Sequence, residues 1–185
     1  NGKTINSASD TLVRIVNINN NRMAEVTIPE TKRGIIGFPF NSSWTVPVPM
    51  KSYTFESSFM LKDKNANYLF KVMNASGSVE SIMFVFAMDG KIYARSNDTV
   101  QGRLAQRGSW NRDTLYNVRL VAHVDTKSYD LYLNGNKIVN SEPMQKDTYS
   151  GGLKGFYMEV KDGARLETKI LVDDIQLSGS NTAGT

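Results

Sequence analysis

The chain has 185 residues, 40% of them hydrophobic, and a net charge of +4, a length that suits one large core. With no cysteine and a single histidine, a disulfide framework and thiol catalysis are excluded and a zinc site is disfavoured. No apolar run is long enough to span a bilayer and no block of basic residues forms a nucleic-acid arm, so neither membrane nor nucleic acid is an expected partner.

Alternation with period two recurs along most of the sequence, and helix-period stretches are hard to find. "TLVRIVNI" and "MAEVTIPE" read as the first strands. In "GFPFNSSWTVPVPM" the three prolines point to a loop or an edge crossing between sheets. "YTFESSFML" puts Tyr53, Phe55, Ser57, Phe59 and Leu61 on one face and Thr54, Glu56, Ser58 and Met60 on the other, as in a half-buried strand. "SIMFVFAMDGKIYAR" gives two strands joined through Asp89 and Gly90, which accept a left-handed turn backbone. "ARSNDTVQGRLAQRGSWNRDT" reads as a long polar connection, with a short helical turn near "GRLAQRG".

In "VRLVAHVDTKSYDLYLNGNKIV", Val118, Leu120, Ala122 and Val124 point one way and Tyr129, Leu131 and Leu133 answer them across a turn. Asn134 and Gly135 supply a second hairpin turn. "GFYMEV" and "KILVDDIQL" close the series. Roughly a dozen short strands at this spacing require two stacked sheets. The expectation is an all-β, two-sheet antiparallel β-sandwich over residues 1–178, with 179–185 a linker-like tail. A start without methionine and the ending "SGSNTAGT" read as a piece cut from a longer, secreted, extracellular protein.

The succession of "FESSFML", "DGKIYAR", Trp110, the "D-x-K-x-Y-D-x-Y-x-N-G" hairpin and "ILVDDIQL" resembles the concanavalin A-like jelly rolls, a group that includes laminin G-like and bacterial carbohydrate-active modules. The resemblance covers about residues 50–178. It implies two curved sheets, the concave one receiving an oligosaccharide. If the 118–139 hairpin belongs to that sheet, its free face presents Arg119, His123, Asp130 and Tyr132 to a groove. Rings stack on pyranose faces, and guanidinium grips hydroxyls or carboxylates through paired hydrogen bonds.

Glu56, with Tyr93 and Arg95, would extend such a groove, and Trp44 in its polar, proline-rich context is a candidate stacking platform. Met60 shares the free face of Glu56. Trp110 is expected in the core. Asp173 and Asp174 resemble the late acidic pair of these sandwiches and are considered as partial ligands of a structural calcium, with a salt bridge or turn cap as the competing role. N-x-S/T sequons begin at Asn41, Asn74 and Asn97.

The E-x-D-x-x-E strand of laminarinase-like hydrolases is absent. Jelly-roll polysaccharide lyases use a base and an acid, often histidine and tyrosine, beside a group that neutralises a carboxylate. His123, Tyr132 and Arg119 could form that set, but the R-x-E-L-R and Q-I-H motifs of those lyases are missing. The expectation is therefore a non-catalytic carbohydrate-binding module, tethering an attached catalytic domain to a polysaccharide, with an acidic glycan preferred because Arg95, Arg103, Arg107, Arg112 and Arg119 crowd one stretch. A lyase or hydrolase domain and a laminin G-like adhesion module that binds protein are the alternatives.

Overall fold

The computed structural model describes residues 6–7, 12–29, 34–39, 50–74, 80–96, 104–145, 153–161 and 166–181. Every regular element among them is a strand: β1 (Asn6–Ser7), β2 (Leu12–Ile18), β3 (Asn21–Ile28), β4 (Gly34–Pro39), β5 (Ser52–Leu61), β6 (Asn67–Asn74), β7 (Glu80–Phe86), β8 (Lys91–Arg95), β9 (Leu104–Ser109), β10 (Leu115–His123), β11 (Ser128–Leu133), β12 (Asn136–Pro143), β13 (Leu153–Lys161) and β14 (Thr168–Ser180). They form two seven-stranded sheets. The first has the order β1-β4-β13-β6-β7-β8-β9 and the second β12-β11-β10-β5-β14-β3-β2. All pairings among the described strands are antiparallel.

Period-two alternation sets which side of each strand meets the other sheet. Tyr68, Phe70 and Val72 of β6, Ile82, Phe84 and Phe86 of β7 and Phe156, Met158 and Val160 of β13 are buried between the sheets, opposite Phe55, Phe59, Val118, Leu120 and Val172. Phe70 stacks on Phe84 with ring centroids 4.7 Å apart and Phe55 on Phe156 at 3.7 Å. Trp110 is in the core as expected, 1% exposed, and its indole N–H donates to the Ala87 carbonyl at 2.8 Å.

The β10–β11 hairpin has the expected register, with Val118 opposite Leu133, Leu120 opposite Leu131 and Ala122 opposite Tyr129. Asn134 and Gly135 take φ of 50° and 79° in the next turn, the left-handed pair that a two-residue hairpin requires. At the β7–β8 turn only Gly90 has positive φ. Asp89 instead caps the turn, accepting from the Lys91 N–H at 2.9 Å.

Several expectations need correction. From Leu104 onward the "GRLAQRG" stretch is a strand: β9 takes Leu104–Ser109 and pairs with β8, because pairing satisfies backbone groups that one isolated helical turn would leave open. The proline-rich "GFPFNSSWTVPVPM" begins inside a strand, β4, which ends at Pro39. Residues 40–49, with Trp44 and the Asn41 sequon, lie outside the described residues, as does Asn97. The last strand runs past residue 178, since Gly179 and Ser180 pair with Tyr53 and Ser52. Asn74 is 5% exposed on β6, a poor glycosylation acceptor.

Candidate functional site

Five of the residues singled out by sequence do come together. Arg119, His123, Asp130, Tyr132 and Glu56 share the outward face of the second sheet, because each alternates with a core residue of β10, β11 or β5. The Arg119 guanidinium lies 4.7 Å from the centroid of the Tyr132 ring and its Nε 3.5 Å from Glu56. His123 Nε2 and Lys137 Nζ approach Asp130 Oδ2 at 3.2 and 3.1 Å. Asp130 and His123 are nevertheless enclosed, 4% and 9% exposed. Asp130 also accepts the Ser141 N–H at 2.7 Å, and Ser141, at φ 48°, belongs to the irregularity where β12 slips against β11. Its carboxylate is thus occupied in holding a β-bulge. Burial works to raise the Asp130 carboxyl, but the Ser141 N–H, His123 and Lys137 outweigh it and hold it below the usual range.

Tyr93 and Arg95 are elsewhere. They stand on the outward face of the first sheet, across the sandwich from the others, so they cannot extend the same groove. Here the register builds two adjacent cross-strand rows. Gly37, Tyr157, Lys71, Met83, Arg95 and Leu104 succeed one another from β4 to β9 in one row, and Glu159, Leu69, Val85, Tyr93 and Gln106 form the next. Leu69, Met83 and Val85 are 6–8% exposed although they face away from the core, and they form their own apolar cluster. An apolar floor from which water is largely excluded strengthens every charge interaction around it.

That floor is framed by ions. Lys71 Nζ donates to Glu80 Oε1 and Glu159 Oε2, each at 2.6 Å, and Arg95 Nη2 meets the other Glu80 oxygen at 3.2 Å. Burial by itself would lower the Lys71 ammonium, yet its hydrogen bonds to Glu159 and Glu80 push it above its ordinary value. Burial would likewise raise the Glu80 carboxyl, and the bond to Lys71 with the charge of Arg95 turns the net shift downward. Arg95 also donates to Gln145, whose own N–H bonds the Ser81 carbonyl, so the segment after β12 passes over this face. The buried Nε–H of Arg95 has no acceptor.

Two tyrosines flank the floor. Tyr93 donates to Asp89 Oδ2 at 2.7 Å, a bond that raises its phenol and commits it to the β7–β8 turn. Tyr157 stands opposite Lys71 in register, and burial raises its phenol as well. Its ring lies across β4 where only glycine leaves room: a Cβ on Gly37 would come within 2.9 Å of Tyr157 Cε1. Sequence reasoning found Tyr93 and Arg95 here and missed Tyr157, Lys71, Glu80 and Glu159. Alternation in "GFYMEV" already separates Tyr157 and Glu159 from the core residues Phe156 and Met158; what sequence could not supply is that β6 and β8 bring Lys71 and Arg95 into the same row.

Asp173 and Asp174 serve backbone geometry. The register between β14 and β5 slips after Asp173, Asp174 takes φ 51°, and the Ser57 hydroxyl bonds the Asp173 carbonyl at 3.1 Å. Among the described residues no group of three or more histidine, cysteine, aspartate or glutamate side chains could hold a metal ion.

No protein-family model and no curated protein matches the chain. Among solved structures, a sialidase superposes with TM-score 0.68 at 8% identity over 90% of this chain, and this chain spans only 17% of the sialidase. Alginate lyase A1-II′, a member of polysaccharide lyase family 7, gives TM-score 0.63 at 12% identity, covering 91% of this chain and 84% of the lyase. Alginate lyase AlyC3 gives 0.59 at 10% identity, covering 84% and 74%. The expectation that a chain of this pattern is a non-catalytic module is overturned here, since in those lyases the matched sandwich makes up most of the enzyme. What the chain shares with them is the fold: an all-β, concanavalin A-like jelly roll of two antiparallel sheets.

Proposed function

We propose that the chain is a polysaccharide lyase that cleaves a uronate-containing polymer in a groove on the outward face of the first sheet. The observation that carries this reading is the row Tyr157, Lys71, Met83, Arg95, which sets one phenol and two cations across four adjacent strands over an apolar floor. Eliminative cleavage needs those parts. A cation beside the C5 carboxylate stabilises the charge that builds up as the C5 proton leaves. The C4–O4 bond then breaks, a C4=C5 double bond forms, and O4 takes up a proton. A single tyrosine serves both transfers when the C5 proton and O4 lie on one side of the ring: its phenolate, formed beside the bound cations against the upward pull of burial, takes the C5 proton, and the phenol so formed returns that proton to O4.

In this scheme Tyr157 carries the proton. Arg95, held at the edge of the floor by Glu80 and Gln145, supplies the charge for the carboxylate, and Lys71, fixed by two carboxylates, orients the charge around it. One of the alginate lyases of this fold is described with an alginate tetrasaccharide in a variant that has a lysine and a tyrosine both replaced by alanine. The same two residue types face each other here. The set His123, Tyr132 and Arg119 is not needed for the chemistry and lies on the other sheet.

The test is an ultraviolet assay for unsaturated uronate ends on mannuronate, guluronate, galacturonate and glucuronate polymers. Wild type is expected to release them from at least one polymer. Tyr157→Phe is expected to abolish release while the thermal melt is preserved, and Arg95→Ala to raise KM more than it lowers kcat. Retention of a polymer without any unsaturated product would overturn the reading.

A further inference from the structure

We propose that the outward face of the second sheet is a second, separate binding surface for a carboxylated polysaccharide strand. A single cross-strand row there contains Gln176 of β14, Glu56 of β5, Arg119 of β10, Tyr132 of β11 and Lys137 of β12, each opposite the next in register. The row is polar from end to end and partly open, with the side chains of Arg119, Glu56 and Lys137 36–39% exposed. It is the whole sandwich away from the row of Tyr157, Lys71 and Arg95.

Three features separate this row from an ordinary solvated face. Tyr132 is flanked by two cations, the Arg119 guanidinium 4.7 Å and the Lys137 ammonium 5.2 Å from its ring centroid. Such contacts hold long, rotamer-rich side chains in one arrangement before a ligand arrives, which removes part of the entropy lost on binding. Lys137 is fixed further by the carboxylate of Asp130, and its ammonium is kept above its ordinary value first by a hydrogen bond with Tyr132 and then by Asp130. Glu56 approaches Arg119 at Nε, which leaves the terminal guanidinium nitrogens free of any described partner and able to take a carboxylate in paired fashion.

The spacing suits a polymer better than a single small anion. Arg119 and Lys137 sit on strands separated by one other, so their backbones are roughly 10 Å apart. A sugar ring in an extended chain advances by about one strand spacing, which places successive or alternate carboxylates along the row with the Tyr132 hydroxyl between them. The choice of a uronate strand as ligand rests on the reading of the first sheet as a uronate groove; the existence of the preorganised row does not.

Affinity electrophoresis in gels containing the polyuronates named above, with a neutral glucan as control, tests the proposal. The Arg119→Ala/Lys137→Ala double variant is expected to be retarded less, with an apparent Kd about tenfold weaker, while it still unfolds in one cooperative transition and its release of unsaturated ends from short oligosaccharides is unchanged. Arg95→Ala provides the opposite arm, raising KM for elimination while keeping retardation through the back face. Should the chain prove unable to eliminate, loss of retardation in the double variant alone would still uphold the second surface. Unaltered retardation in the double variant, equal retardation by the neutral glucan, or no retardation of wild type by any polyuronate overturns it.

Discussion

Lys71 shows how one side chain can organise a face. It is 12% exposed, bridges Glu80 and Glu159, and stands beside a floor of Leu69, Met83 and Val85. Replacing it with methionine would keep the volume and take from Glu159, 4% exposed at the side chain, the ammonium 2.6 Å away. The expected loss is about 3 kcal/mol in urea unfolding, because removing one partner of a buried pair is more damaging than replacing both. Arg119→Ala on the other face removes a partly exposed ion pair and should lower stability by no more than about 1 kcal/mol. Residues of this kind were half legible in the sequence. Alternation assigns Arg119, Tyr132 and Glu56 to outward faces without reference to anything distant, and that assignment holds. It says nothing about which outward face belongs to which sheet, so Tyr93 and Arg95 were grouped with partners that are on the far side of the molecule.

At the scale of elements, the hairpins were the most readable parts because their chemistry is local. Asn134-Gly135 reads as a left-handed pair and takes that form. Gly135→Ala meets no atom within 4 Å, so its cost is backbone strain alone, about 1 kcal/mol, and denaturant midpoints should register it with an unchanged slope. β9 was the least readable, since "LAQRGS" has neither clear alternation nor β-branched residues; it is a strand because β8 offers it a paired edge. The bulge at the acidic pair in "VDDIQL" is likewise invisible locally, since it depends on register with β5, more than a hundred residues earlier in the chain.

For the whole molecule, the charged networks set a pH window. Glu80 and Asp130 have carboxyls held below their ordinary values of 4.5 and 3.8. Their contribution is therefore fully present above those ordinary values and is lost as pH falls through the lowered ones. Lys71 is raised above 10.5, so its contribution is present below that value and is lost as pH climbs through the raised one. Thermal melts should plateau between these limits and fall on both sides. In Lys71→Met the alkaline limb attributable to this ammonium should vanish, and the acid limb should shrink, because Glu80 has lost the nearer of its two cations.

The order of the second sheet has a consequence for biosynthesis. β14, the last of the described strands, is not an edge; it fills the slot between β5 and β3. A ribosome delivers both flanking strands first, β3 able to pair with β2 and β5 with β10, but the sides of β3 and β5 that face the gap stay unpaired until residues 168–180 have left the exit tunnel. During that interval the nascent polypeptide exposes two long, unsatisfied strand borders, the kind of surface that templates misassociation between chains on a polysome. Insertion of the final strand is then the event that closes the sandwich, and slow translation of the preceding segment would lengthen the period of risk.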